Sequence, residues 1–254
     1  MSDGVEAKSE LPATWNPVSR KDAAMRARTF ANQASLLWTI ESVVGYVTDL
    51  RREKPSVLPD VLISKIKSTK DKEEKLEVLS NHLGLGGETS LLLVRAAYVW
   101  RNRVTHIGAN NRLDPVVERE LKARSAEIEQ DYQGLIITEM LTRIETNEPP
   151  RLKESAAISR AAGYLIRDID AKAVESVDLT CYISDKLRNY LSEPPTTDQS
   201  LKRAVGLWGG TASANCRSIS NYLLQQGLSV SEGAGVESDL FELTPKEAVD
   251  YLLP

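Results

Sequence analysis

Apolar side chains recur at three- and four-residue steps along most of the chain, which is the spacing of one face of an α-helix. The longest apolar stripe predicts a helix over residues 19–54, and Pro55 ends it. Its apolar members are Leu36, Leu37, Ile40, Val43, Val44 and Val47. Two shorter helices are predicted over 58–66 and 71–83, and Gly84 closes the second of them. The N-terminal third of the chain is therefore expected to be helical.

The next predicted helix is apolar on nearly all sides. It begins near Glu88 and ends near Ile107. A helix with this composition belongs in the middle of a bundle, because every face must be covered. A further helix is predicted over 114–144, with Pro115 in its tolerated first turn and an interruption near Gly134.

The pair Pro149-Pro150 marks the expected domain boundary. Beyond it, apolar periodicity predicts one helix marked by residues 156–169, another marked by residues 174–191, and two more over 212–226 and 245–253. Residues 193–195 are expected to form a linker, the segment 206–211 a turn before a helix, and the Gly- and Ser-rich stretch 227–238 a loop. No run of alternating apolar and polar residues indicates a strand.

These patterns predict an all-α protein in three parts. Residues 1–16 are expected to form a flexible leader, residues 17–148 a helical bundle, and residues 149–254 a helical C-terminal region of unknown role.

Composition narrows the class of protein. The chain has 254 residues and a net charge of −4, so any nucleic-acid site must be local rather than a broad basic surface. The two cysteines, Cys181 and Cys216, make no disulfide framework, which favours a reducing compartment. The N-terminus lacks the apolar run of a signal peptide, and no stretch of about 18 or more apolar residues predicts a membrane span. A cytoplasmic protein without a membrane partner is expected.

One segment departs from the acidic balance. No Asp or Glu lies between Glu88 and Asp114, whereas four arginines do. They are Arg95, Arg101, Arg103 and Arg112. Because four arginines stand there without an acid, the stretch is expected to carry uncompensated positive charge. It also includes His106, near the end of the most apolar helix. Such a stretch is a reasonable binding site for a phosphodiester.

The residue types in this segment fit RNA cleavage. A histidine such as His106 can accept or donate a proton near neutral pH. An arginine such as Arg101 can stabilise the charge that develops on a phosphorane. Together they can cleave RNA without a metal, because the 2′-hydroxyl attacks its own phosphate. DNA lacks that hydroxyl and is expected to be spared.

Helix geometry constrains this pair. Arg101 and His106 are separated by about 140° on an ideal helix, so they do not share a face. Either His106 lies at the frayed end of the helix, or the arginine comes from a second subunit. Asn102 and His106 do share a face, so Asn102 could orient the imidazole or contact a phosphate oxygen.

The segment Arg101-Asn102-Arg103-Val104-Thr105-His106 resembles the motif of HEPN-superfamily ribonucleases, an Arg, a polar residue, three variable residues and a His. The resemblance covers about residues 19–147. Gly108 stands where the HEPN toxins paired with nucleotidyltransferases have Tyr, so that variant is not matched.

The resemblance implies a HEPN-type bundle with metal-independent endoribonuclease activity. Its catalytic residues would be Arg101, Asn102 and His106, and Arg103, at a variable position, would contact the RNA substrate. It also implies a homodimer with a composite site, a role as a toxin or antiviral-defence effector, and room for an antitoxin or regulatory protein as a partner.

Two other interpretations stay open. His106 could merely cap the helix C-terminus while Arg101 pairs with a neighbouring carboxylate. The chain would then be a non-catalytic helical interaction module within a larger complex, or a HEPN fold without activity. With only two histidines and no clustered cysteines, no metal or cofactor is expected, and His82 is expected to cap a helix end.

Overall fold

The computed structural model describes residues 19–106, 111–175, 177–193, 196–228 and 239–253, and their regular elements are all helices. This confirms the all-α prediction. The helices are α1 (Arg20–Arg52), α2 (Asp60–Ser68), α3 (Lys72–His82), α4 (Thr89–Thr105), α5 (Pro115–Ala123), α6 (Ser125–Asp131), α7 (Ile137–Glu145), α8 (Leu152–Glu175), α9 (Leu179–Ser192), α10 (Thr197–Trp208), α11 (Ala212–Gln225), α12 (Asp239–Glu242) and α13 (Pro245–Leu252). The predicted leader and most of the predicted loop over 227–238 lie outside the described residues. Among the helices described, none is long and apolar enough to cross a membrane.

Most predicted helices begin and end within a few residues of the observed ones, because their end signals are local. Asp114 caps α5 by accepting a hydrogen bond from the Val116 N–H at 2.8 Å. The predicted helix over 114–144 is three helices, and one interruption falls at Gly134, whose φ is +75°. Helix α10 is the exception, since no helix was expected between the linker and the turn predicted at 206–211. Gly206 lies on its exposed side, where glycine costs only intrinsic helix propensity.

Contacts between residues divide the chain into two units, each built from two stretches of sequence. The first is Met1–Val43 with Gly87–Tyr164, and the second is Val44–Gly86 with Leu165–Pro254. Pro149 lies inside the first of these units. The division into domains 17–148 and 149–254 therefore stays a prediction.

Helix α4 is the central element of the first unit. Every residue from Thr89 to Trp100 except Arg95 is buried. The helix contacts α5 and α7, and the indole N–H of Trp100 donates to the carbonyl of Glu148 at 2.8 Å. Because the buried part of α4 stops at Trp100, the polar side chains of its last turn lie outside the core.

The second unit has its own apolar core between α9, α10, α11 and α13. Trp208 is buried there and donates its indole N–H to the carbonyl of Leu240 at 2.8 Å. The buried members are Ile183, Leu187, Leu191, Ala204, Leu207, Trp208, Ile219, Leu223, Leu240, Ala248, Val249 and Leu252. This core accounts for the apolar periodicity that follows residue 179.

Candidate functional site

His106 is the residue at which α4 stops being a helix. The last helical residue is Thr105, and His106 has φ −118° and ψ 110°. Its backbone N–H still donates to the carbonyl of Asn102 at 3.0 Å, which closes the last turn. The side chain is exposed, and its imidazole forms no hydrogen bond with any described residue. His106 thus has the helix-end position expected from the sequence, with an imidazole accessible from solvent.

Arg101 is held in place from two sides. Its Nη2 forms an ion pair with Glu41 of α1, and its Nη1 donates to Oδ1 of Asn102 at 2.9 Å. The side chain is 22% exposed and that of Glu41 is 38% exposed, so the pair is partly shielded from water. The third nitrogen, Nε, is buried without a hydrogen-bond partner in the described part of the chain. A charged donor in that condition is uncommon in folded proteins.

Glu41 is the site residue that the sequence reasoning missed. It lies four residues after Leu37 and three before Val44, so it interrupts the apolar stripe of α1 with a carboxylate. A charge within an apolar face needs a partner. That interruption was a signal for an ion pair, although it could not identify Arg101 as the partner.

Asn102 contacts a different residue from the one expected. Its side-chain oxygen accepts the hydrogen bond from Arg101, and its contact with His106 is through the backbone carbonyl. In this structure Asn102 therefore orients the arginine rather than the imidazole, and the other suggested role, a contact with a phosphate oxygen, stays a prediction.

Arg103 fastens α4 to backbone carbonyls of neighbouring segments. Its Nε donates to the carbonyl of Asn111 at 2.6 Å, and its Nη1 donates to those of Ile144 at 2.7 Å and Glu145 at 3.1 Å. Of its guanidinium nitrogens, Nη2 is the one left for an RNA phosphate. The expected contact with RNA stays a prediction beside this structural role.

The positive stretch is largely compensated, contrary to the expectation. Arg95 lies 3.5 Å from a carboxylate oxygen of Asp114, Arg101 is paired with Glu41, and Arg103 is bonded to carbonyls. The sequence count missed these partners because acids outside the segment fold back onto it. Arg112, by contrast, is exposed and forms no ion pair with a described residue.

Removing the Arg103 side chain is expected to destabilise the first unit. Arg103→Ala leaves carbonyls of α7 without their charged donor, and we expect a loss of about 2 kcal/mol in the free energy of unfolding. Urea unfolding monitored by circular dichroism measures this. Arg112→Ala is the matched control, since loss of an exposed arginine should change stability by less than about 0.5 kcal/mol. Equal effects of the two variants would contradict a structural role for Arg103.

The second histidine lies at a helix end, as expected. His82 is exposed in the last turn of α3, and Gly84 follows with a φ of +75°, a conformation that glycine adopts without strain. Within the described ranges, no three His, Cys, Asp or Glu side chains form a group that could hold a metal ion.

Trp100 and Trp208 are both buried. Trp38 is 77% exposed, so it is not a core residue. The apolar stripe predicted for α1 is only partly buried, since Leu37, one of its members, is exposed as well.

The chain was compared with protein-family models, curated proteins and solved structures, and no match was found.

Proposed function

We propose that the chain is a metal-independent endoribonuclease of the HEPN type, with Arg101 and His106 as its catalytic pair. The observation that carries the proposal is the last turn of α4. There an arginine held by Glu41 and Asn102 precedes a solvent-accessible histidine at the helix end. The resemblance of this segment to the HEPN motif supports the same function.

The chemistry follows from the two side chains. The imidazole of His106 takes the proton from a ribose 2′-hydroxyl, or donates one to the leaving 5′-oxygen. The 2′-oxygen forms a bond to the adjacent phosphorus while the bond to the 5′-oxygen breaks. The guanidinium of Arg101 stabilises the added negative charge on the phosphorane. The products are a 2′,3′-cyclic phosphate and a 5′-hydroxyl.

A homodimer with composite sites is part of this proposal. Helix α4 stays regular to Thr105, and Arg101 is turned toward Glu41. One subunit therefore does not easily direct both side chains at one phosphate, whereas a two-fold axis near the end of α4 would bring two motifs together. A role as a toxin or antiviral-defence effector, with an antitoxin or regulatory protein as partner, rests on the family resemblance alone.

The proposal is tested by incubating the purified protein with a labelled RNA in EDTA. We expect cleavage that survives chelation and leaves 2′,3′-cyclic phosphate ends. A DNA of the same sequence is the matched control and should stay intact. Loss of cleavage on chelation, 3′-hydroxyl ends, or equal cleavage of the DNA would each overturn the mechanism.

Glu41 is expected to act as a positioning residue for Arg101. Glu41→Gln keeps the size of the side chain but removes the charge, and one charge-assisted hydrogen bond corresponds to about a tenfold loss of kcat/KM. Steady-state cleavage of a fluorogenic RNA measures it, and the activity of Arg101→Ala/Glu41→Gln should fall no further than that of Arg101→Ala alone.

The control for this prediction is Glu129→Gln in α6, which removes an exposed carboxylate without an ion pair among the described residues. It should leave kcat/KM unchanged. If Glu41→Gln lowers the melting temperature but cleaves RNA at the full rate, the ion pair is purely structural.

A further inference from the structure

The second unit contains a cavity of about 370 Å³ that the proposed ribonuclease function does not use. Side chains at three- and four-residue steps line it, so the last turns of α1 and α8, together with residues that directly follow each helix, form its walls. The contributions of these two segments are Tyr46, Asp49, Leu50, Glu53, Asp170, Ala173, Val174 and Val177. Ligand pockets in proteins are roughly 300–1,000 Å³, so the cavity can take a small organic molecule.

Most of the remaining lining is apolar and fixed by the fold. Leu179 belongs to α9, and Leu228 follows the turn that ends α11. That turn is set by Gly227, with a φ of +83°, and by the N–H of Leu228, which donates to the carbonyl of Leu223 at 2.9 Å. An apolar wall of this kind favours a ligand with an apolar body.

All charged side chains in the described lining are carboxylates, namely Asp49, Glu53 and Asp170. Glu53 is neutralised by its ion pair with Lys186. Asp49 and Asp170 have no cationic partner among the described residues. The cavity therefore carries uncompensated negative charge beside apolar surface, and a ligand cation would be attracted to it.

Tyr46 contacts Asp170 but does not neutralise its carboxylate. The hydroxyl of Tyr46 donates to a carboxylate oxygen of Asp170 at 2.5 Å. Burial, together with the hydrogen bond and charge of Asp170, raises the pKa of Tyr46 above its usual range. The phenol thus stays protonated at neutral pH. Tyr182 also lines the cavity, but Nζ of Lys186 already lies over its ring, 5.5 Å from the ring centre, so the attraction for a ligand cation comes from Asp49 and Asp170.

We propose that this cavity binds a small organic cation, with an ammonium group directed at Asp49 and Asp170 and an apolar body against Leu50, Val177 and Leu228. The site is separate from the catalytic pair and does not depend on the ribonuclease function.

Three probes that share one apolar body test the proposal by isothermal titration calorimetry on the full chain. They are 4-phenylbutylammonium, the uncharged 4-phenylbutanol and the anionic 4-phenylbutyrate. We expect the ammonium to bind at least about tenfold more tightly than the alcohol, which is the scale of one charge-assisted hydrogen bond. We expect the carboxylate not to bind.

Two variants locate the site. Asp170→Asn should weaken ammonium binding about tenfold and leave alcohol binding unchanged. Val174→Trp should abolish binding of both, because residue 174 is 49% exposed and a larger side chain there can fill the cavity without disturbing the core. The control is Asp250→Asn, on the exposed side of α13, which should bind as the parent does.

The proposal is wrong if the alcohol binds as tightly as the ammonium, or if no probe binds at up to about 10 mM. It is also wrong if Asp250→Asn weakens binding as much as Asp170→Asn, since the attraction would then come from overall charge. None of these outcomes bears on RNA cleavage, and both cavity variants should cleave RNA at the parent rate.

Discussion

Replacing His106 by alanine is expected to lower the rate of RNA cleavage by at least about a hundredfold, the usual scale for an acid–base group. The fold should be unaffected, because the side chain is exposed and forms no hydrogen bond with a described residue. The measurement is single-turnover cleavage at saturating protein, with circular dichroism melting as the check on folding. His82→Ala is the matched control, since His82 is also exposed and near a helix end.

Arg101→Ala should cause a loss of similar size, because an electrostatic stabiliser of the phosphorane is removed. This variant is also expected to lower the stability of the fold, since Glu41 loses its ion pair with Arg101. Arg101→Lys keeps the positive charge but not the forked geometry, so it separates the two effects. A Lys variant with parent stability and a strongly reduced rate would indicate a catalytic role.

Mixing the two inactive variants tests the composite site. In a dimer of one Arg101→Ala chain and one His106→Ala chain, one of the two composite sites keeps both intact residues. Random exchange of subunits should then restore about a quarter of the parent rate. Sedimentation of the parent with and without a non-cleavable RNA measures the dimer directly.

Three results would contradict the proposed catalytic pair or its composite site. Full activity of His106→Ala would show that Arg101 and His106 are not the catalytic pair. A protein that stays monomeric with and without RNA, yet cleaves at the full rate, would show that the site lies within one chain. No recovery in the mixture, with both variants inactive and dimeric, would lead to the same conclusion.

Trp100→Ala is expected to cause the largest loss of stability in the first unit. The ring is fully buried in α4, and truncation of a buried tryptophan typically costs about 3–5 kcal/mol. The indole also donates to the carbonyl of Glu148, which loses that partner. The free energy of unfolding from urea titration measures the loss. The rate of RNA cleavage should fall in proportion to the folded fraction, because Trp100 anchors the part of α4 that carries Arg101.

Trp38→Ala is the matched control for this prediction. The same ring on α1 is 77% exposed, so its removal should change stability by less than about 0.5 kcal/mol. A loss from Trp38→Ala as large as that from Trp100→Ala would mean that the exposed ring is covered in solution, as it would be in a dimer interface.

The sequence by itself determined where most helices lie and where polar residues follow the buried part of α4. Helix periodicity, the cap at Asp114 and the stop at Gly84 depend only on residues a few positions apart, so the chain order contains them. The position of His106 at the end of α4 followed from the same local signals. Helix α10 was missed because Gly206 and the glycines at 209 and 210 suggested a turn before the helix ended.

The tertiary structure alone decided which side chains meet. Glu41 and Arg101 are 60 positions apart, and the three carbonyls bound by Arg103 belong to segments 8 to 42 positions away. Such pairings depend on how helices pack, and packing can bring a distant carboxylate to any exposed arginine. For this reason a charge count over residues 88–114 predicted a free positive stretch, whereas the fold neutralises most of it and pairs Arg101 with Glu41 in the last turn of α4, before the exposed His106.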